Sequence, residues 1–473
     1  MVFNSYIFLF YFLPAVIFLC YGVRQIPKAH LLLLVSYMFY GWWKPEYALL
    51  MLFSTTVDFF AGLILGRDLP RRTKKWVLSV SILMNVGLLS YFKYFSFLVE
   101  VFNDFAEILR WQLPCFPFDI PEIVLPIGIS FYTFQSMSYT FDVYRGDIRP
   151  TRNFIDFAAY IALFPQLVAG PIVRAGTVLP KIRDKEISPE KIELAIHFFT
   201  LGLAKKVLIA DPLGISCDAF HQQEVVGFVS SWISIYADVL HWYFDFSGYS
   251  DMAIGLGHVF GFSFPQNFNS PLKSASMTEL VVSWHMTLIA WFRDYVYIPL
   301  GGNRKGSLAT YRNLFIIMFL SGIWHGAGWT YIIWAFMIAV ALVLERALGI
   351  SHTRNEKQNW LTGQTGRFRS LRIFLVFTYY SLCVSCFTSP DLSHALTVLK
   401  GLLGQTHAAI LPEFRSPLFG IVFLLGSVIN FGCKNTWELA KDRWSPLAYI
   451  LLFLICVGTI LLNKETPFMY FRF

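Results

Sequence analysis

Two histidines are the residues of this chain best suited to chemistry. His325 sits in Ser321-Gly322-Ile323-Trp324-His325-Gly326-Ala327-Gly328-Trp329, a polar break inside the apolar stretch 314–344. His285 lies forty residues earlier, and each histidine follows a tryptophan, Trp284 and Trp324. An ionisable side chain at membrane depth is expensive and marks a functional site by default. A neutral imidazole there could take the proton of a hydroxyl during acyl transfer, so general base catalysis is the chemistry best matched. Either residue could equally be a hydrogen-bonded core histidine. No Gly-x-Ser-x-Gly nucleophile is present, and no ligand set at i, i+4 spacing accompanies the histidines, so no metal site is expected.

The elements that must position them follow from the flanking residues. The arm Leu314–Leu320 is too short to cross a bilayer, which takes roughly 20 apolar residues. Basic residues flank both outer ends: Arg304, Lys305 and Arg312 before, Arg346, Arg354 and Lys357 after. A hairpin with both ends on one side and His325 at its tip fits this pattern. The glycines allow irregular backbone, tolerated at that depth only inside protein or beside water. His285 belongs to 278–298, where Ser283, Thr287, Arg293 and Asp294 alternate with Trp284, Leu288, Trp291 and Phe292. That mixture predicts a helix at an interface or lining a cavity.

The whole chain supports a membrane setting. Of 473 residues, 56% are hydrophobic and only 14% charged, against about 25% charged in soluble domains; mean hydropathy is +0.54. The expectation is an all-α, polytopic membrane protein forming one domain over 1–473. The net charge of +8 sits in short loops, so orientation explains it better than nucleic-acid binding. Cys383 and Cys386 share a helix face within an apolar run and read as packing. The start, Met1-Val2-Phe3-Asn4-Ser5, does not read as a cleavable signal peptide.

Apolar segments recur near 7–23, 29–43, 46–66, 76–99, 123–141, 153–172, 195–215, 228–262, 373–388, 418–433 and 446–463. Pro165 and Gly170-Pro171 break the sixth. Gly257-His258-Val259-Phe260-Gly261 predicts close helix packing. The loop 67–75 carries five basic residues in nine and should be cytoplasmic, whereas 100–122 is acidic and should be external. Both termini then lie outside. Asp245 and Asp251 are intramembrane acids that could orient a histidine or pair structurally. Arg293 and Asp294 are neighbours on a helix and are not expected to pair with each other.

These residues resemble the membrane-bound O-acyltransferase (MBOAT) superfamily, most closely its alginate O-acetyltransferase (AlgI-like) branch. The similarity runs essentially end to end, through Met1–Ser5, Leu125–Gln135, Asp142–Gly146, Phe164–Ile172, Tyr243–Ala253, Tyr297–Arg304, the His325 block and the tail Pro467–Phe473. The resemblance implies about eleven membrane helices plus broken or re-entrant ones around a central funnel. It also implies that His325 is the catalytic histidine and His285 the family's second histidine. The same resemblance implies that no cofactor is bound and that acetyl-CoA is the acyl donor, on the cytoplasmic side of a bacterial inner membrane. It further implies that the acyl group goes to an exported or cell-wall polysaccharide through a periplasmic partner acyltransferase. Where the family places three arginines around the second histidine, this chain has Val282, Ser283 and Ala290. The donor phosphates are therefore assigned to Asn303, Arg304 and Lys305 at the cytoplasmic mouth, with Arg293 deeper and Trp284, Trp324 and Asp251 along the funnel. Two alternatives stay open: transfer from a carrier-protein thioester, as in D-alanylation of teichoic acids, and a transporter or flippase, whose sites also use broken helices.

Overall fold

The computed structural model describes residues 1–23, 25–109, 123–185, 188–350, 368–442, 445–462 and 468. Within them every regular element is helical and no strand occurs. Arg354 and Lys357, most of the acidic 100–122 segment and all of the tail but Phe468 lie outside the described residues.

The first helices are α1 (Phe8–Gly22), α2 (Lys28–Gly41), α3 (Glu46–Leu65) and α4 (Arg71–Glu107). α4 runs past the expected end at 99. Its apolar window is only 11% buried, and Trp76, Leu83, Tyr91 and Leu98 point outward, which suits lipid rather than water. α5 (Ile129–Arg145) packs behind α3 and α4. A buried polar knot ties these three together. The Asp58 carboxylate of α3 accepts from Ser81 Oγ (2.5 Å) and Asn85 Nδ2 (2.8 Å) of α4, and from Ser136 of α5.

The expected segment 153–172 is broken as its Pro and Gly residues require. α6 (Phe154–Ala162) is capped by Asn153, whose side chain accepts from Asp156 N. After it come one helical turn at Phe164–Leu167 and irregular chain, all buried in protein.

The centre of the molecule is a pair of long helices, α7 (189–221) and α8 (Phe228–Val259). α8 is one uninterrupted helix of 32 residues, buried from Ser230 to His258 on nearly every side. Its buried acids and His241 are paired within the protein, Asp238 to His221, Asp245 to Lys206, Asp251 to Lys205 and His241 to the Ala210 carbonyl, as burial of polar groups requires. The close helix contact is made elsewhere than the Gly257–Gly261 motif predicts. Gly261 lies beyond the helix end at φ +78°, whereas a Cβ on Gly202 of α7 would stand 2.6 Å from the Gly248 carbonyl of α8. A π-turn in α7, Lys205–Ala210, aims two adjacent lysines at α8. Lys205 pairs with Asp251 (2.6 Å), and Lys206 with Asp245 (2.6 Å) and Asp211 (2.7 Å). Both chain ends meet α8 at one ring: Phe3 and Phe468 each stack on Tyr249, at 4.6 and 4.4 Å.

Segment 278–298 is two short helices, α9 (Met277–Ser283) and α10 (Met286–Phe292), with a break at Trp284-His285. The hairpin follows as α11 (Ser307–His325) and α12 (Trp329–Ala347). Its first arm is longer than Leu314–Leu320 because the polar residues 307–313 continue the helix. At 1.5 Å per residue the tip stands roughly 17 Å beyond Leu314, about half the hydrocarbon thickness. α13 (Arg369–Thr388), α14 (Leu392–Leu402), α15 (Pro417–Gly432) and α16 (Pro446–Leu462) complete the molecule. α14, started by an Asp391 cap, was not legible as a separate element. α3, α4, α12 and α13 are long and apolar enough to cross a membrane; α1, α15 and α16 are apolar but shorter.

Candidate active site

The hairpin tip is a tight turn, Gly326-Ala327-Gly328, between antiparallel helices. Close approach demands glycine here. A Cβ on Gly322 would fall 2.8 Å from the Tyr331 carbonyl of the other arm and 2.7 Å from Ala335 Cβ. His325, the last residue of α11, is buried. Its ring meets three others edge-on: Trp324 at 4.9 Å, Trp334 at 5.1 Å and Phe387 at 5.4 Å. This packing leaves the imidazole little rotational freedom.

His285 occupies the break between α9 and α10 in a left-handed conformation, φ +44° and ψ +52°. That region is strained for any residue with a Cβ, and such strain gathers at functional sites. The strand of chain that follows α8 holds the break in place. Asn267 Oδ1 accepts from Thr287 N (3.3 Å) and Thr287 Oγ1 (2.9 Å), and the Asn267 carbonyl accepts from Met286 N (2.9 Å). The Thr287 N–H fixes the amide so that its oxygen faces His285 Nδ1 at 3.2 Å. Nδ1 therefore carries the proton and donates it. Nε2 is left with a lone pair and no hydrogen-bond partner, although it is buried. A buried, unpaired acceptor is unusual and calls for a ligand or a proton to receive.

The two histidines share a cavity. Its walls are Leu280, Val281, Trp284, Leu288 and Ile289 from the broken segment, Met318 and Ser321 from α11, Trp334 and Ile338 from α12, and Tyr380 from α13. Its hairpin residues, Met318, Ser321, Trp334 and Ile338, are set back from the tip toward the base of the two arms. A second cavity touches His325 from the tip side and is lined by Lys93, Pro126, Gly128, Phe131, Val168 and Trp324 among others. His325 is the one lining residue common to both. Their volumes, about 30 and 20 Å³, admit roughly one water each. A much larger apolar cavity of about 990 Å³, between α1, α7, α8 and α16, touches neither histidine.

The remaining expected residues separate into two groups. Trp284 lines the shared cavity, and the Trp324 ring lies 5.8 Å from His285. Asp251 is absent from both cavities; it is held by Lys205 and by Thr436 Oγ1 at 2.7 Å, so its role is pairing within the core. Arg293 is exposed, and its Nε reaches Asp294 Oδ1 at 2.8 Å. The expectation that these neighbours would not pair is corrected. They open a π-turn, Arg293–Tyr297, and the long arginine folds back in solvent, while Asp294 also bridges to Arg174 (3.1 Å). Asn303, Arg304 and Lys305 form an exposed loop at the hairpin base, a helix length from His325. Among the described residues no cluster of His, Cys, Asp and Glu could hold a metal.

Two contributors were not foreseen. Asn267 carries no sequence signal of its role. Lys93 does, as a lone cation in the apolar run 76–99, which is the same argument that singled out His325.

The membrane-bound O-acyltransferase family model matches residues 148–389, a span holding both histidines. The chain is 43% identical to the probable alginate O-acetylase AlgI of Pseudomonas aeruginosa over 74% of this chain and 67% of that protein. It is 32% identical to the peptidoglycan O-acetyltransferase of Helicobacter pylori, over 100% of this chain and 98% of that one. The chain belongs to the membrane-bound O-acyltransferase family. It is an O-acyltransferase and a multi-pass membrane protein. A teichoic acid D-alanyltransferase of Bacillus subtilis is more remote, 25% identical over 54% of this chain and 66% of that protein.

Proposed function

We propose that this acyltransferase takes an acetyl group from acetyl-CoA on the cytoplasmic side and delivers it, at His325, to an acceptor reached from the outer side, for O-acetylation of an exported or cell-wall polysaccharide. The observation that carries this reading is the position of His325 between two cavities that share no other residue. A group that must be handed across a membrane, while its anionic carrier stays behind, needs one reactive residue open to both sides.

The base-side cavity is the donor side. It lies toward the hairpin ends flanked by Arg304, Lys305 and Arg312, where positive charge marks the cytoplasm. Those side chains suit the donor's phosphates, which charge-assisted contacts would hold. The thioester arm then runs along Trp284 and Tyr380, parting side chains as it goes. An acceptor hydroxyl enters from the tip side and attacks the thioester carbonyl. The C–O bond forms as the C–S bond breaks. The hydroxyl proton passes to a neutral imidazole, His325 or His285 Nε2, and from there to the departing thiolate.

Both O-acetylating relatives support a polysaccharide acceptor. The peptidoglycan enzyme matches along the full chain and the alginate enzymes match more strongly over three quarters of it. A periplasmic partner acyltransferase would complete the transfer. His325→Ala tests the assignment. In cells lacking the native gene, it should leave protein in the membrane at wild-type level and remove base-releasable acetate from the exported glycan. Near-normal acetate in that variant would overturn the assignment.

A further inference from the structure

We infer that Lys93 is the positioning residue of the reactive hairpin, clamping its tip from outside so that His325 is held between donor and acceptor. The inference rests on the reading of His325 given above and concerns a residue outside the histidine motifs.

A helix ends with four carbonyls that have no partner within it. In water this costs little. At mid-membrane it costs several kcal/mol per group, because no solvent can substitute. α11 ends there, and its four terminal carbonyls can be followed one by one. Gly322 O accepts from Gly326 N at 3.2 Å, within the turn. Ile323 O accepts from the Tyr94 hydroxyl at 2.9 Å. Trp324 O and His325 O both accept from Lys93 Nζ, at 2.6 and 3.1 Å. Two adjacent residues of α4 thus complete the end of α11.

Adjacent residues on an α-helix point about 100° apart, so an ordinary turn would not send both to one target. The turn that carries them, Ser90–Tyr94, is a π-helix. Such single-turn bulges re-aim side chains and recur at functional sites. The bulge has no other evident use in α4, whose outward face is lipid-facing.

Charge makes the same point. Among the described residues no carboxylate forms an ion pair with Lys93. Its ammonium is opposed by the carbonyl end of α11, which carries the negative pole of the helix dipole, and it sits 5.9 Å over the Trp324 ring. A neutral hydrogen-bond donor would have satisfied the carbonyls at lower desolvation cost. The cation therefore suits a second demand. Lys93 lines the tip-side cavity together with His325, so its charge faces the space assigned to the acceptor.

The test uses the full-length protein with three substitutions at one position. Lys93→Arg keeps charge and donors, Lys93→Gln keeps a donor without charge, and Lys93→Met keeps neither. Two quantities are measured: acetate on the exported glycan per mole of membrane protein, and the rate of His325 carbethoxylation by diethyl pyrocarbonate, read by mass spectrometry. Misplacing a reacting group by about 1 Å costs about a hundredfold. Lys93→Met should therefore lose at least about tenfold in acetate per mole, with Arg restoring most of it and Gln lying between. His325 carbethoxylation should change several-fold in Lys93→Met and return in Lys93→Arg. If Lys93→Met does not accumulate, the Arg and Gln pair decides by the same ordering. Full acetylation with unchanged His325 reactivity in Lys93→Met, or in Lys93→Gln if Met is lost, would overturn the inference. So would a loss of protein with unchanged activity per mole, which is what a purely structural cap would give. The carbethoxylation arm is independent of the acetyl-transfer reading. An altered His325 reactivity in a protein with no acetylation at all would refute that reading and leave the clamp standing.

Discussion

His285 owes its geometry to one amide. Asn267 Oδ1 receives three donors, from His285 Nδ1, Thr287 N and Thr287 Oγ1, and the first of these fixes which imidazole nitrogen keeps its lone pair. Asn267→Ala leaves those donors buried without an acceptor. Each such loss costs about 1–3 kcal/mol, so the variant should unfold at lower temperature and acetylate poorly even where it accumulates. Unchanged glycan acetate per mole of Asn267→Ala would remove Asn267 from the site. Asp251 gives the contrasting expectation. Breaking its buried pair with Lys205 costs about 3–5 kcal/mol, yet it touches neither cavity. Asp251→Asn should lower the amount of folded protein and leave activity per mole of surviving protein near wild type. A loss confined to activity would return Asp251 to the reactive site.

At the scale of elements the hairpin decides the outcome. Its arms close on Gly322, where a methyl group would press on the backbone of the facing arm. Overpacking of this kind costs about 1–3 kcal/mol. Gly322→Ala should lower the melting temperature and shift His325 enough to depress acetylation, whereas Gly420→Ala, with open space around it, should do neither. Equal behaviour of the two variants would mean that the hairpin has slack. The hairpin itself was legible in the sequence, because a polar Gly-rich break between basic flanks has few other readings. Most apolar segments were legible as helices by composition, although only α3, α4, α12 and α13 are long and apolar enough to cross a membrane. What stayed hidden was geometry without a composition signature. The break at Trp284-His285 follows from the Asn267 contacts, which are long-range. The π-turns that aim Lys93, Tyr94, Lys205 and Lys206 depend on register within helices that look ordinary as sequence. The Gly257–Gly261 motif promised a helix contact that the less conspicuous Gly202 and Gly248 make instead.

At the scale of the molecule, separate donor and acceptor sides require a fixed orientation. The basic loop 67–75 should face the cytoplasm, and the far end of α4 should face outward. Single cysteines at Thr73 and Glu107, in a background without the native cysteines, report this through an impermeant thiol reagent in intact cells. Labelling is expected at 107 and not at 73. The reverse pattern would turn the whole assignment of donor and acceptor sides around.

With His325 standing where two cavities meet, the acetyl group moves directly from a donor on the cytoplasmic side to an acceptor on the outer side. Sealed membrane vesicles of each orientation, prepared from cells making the protein and its glycan and given acetyl-labelled acetyl-CoA on the outside only, test it most directly. Inside-out vesicles, whose cytoplasmic face is outward, should build label into polysaccharide within the lumen, and His325→Ala should prevent it. Right-side-out vesicles should incorporate none until they are opened. Equal labelling by intact right-side-out vesicles would place the donor on the wrong side, and undiminished labelling by His325→Ala would remove His325 from the transfer.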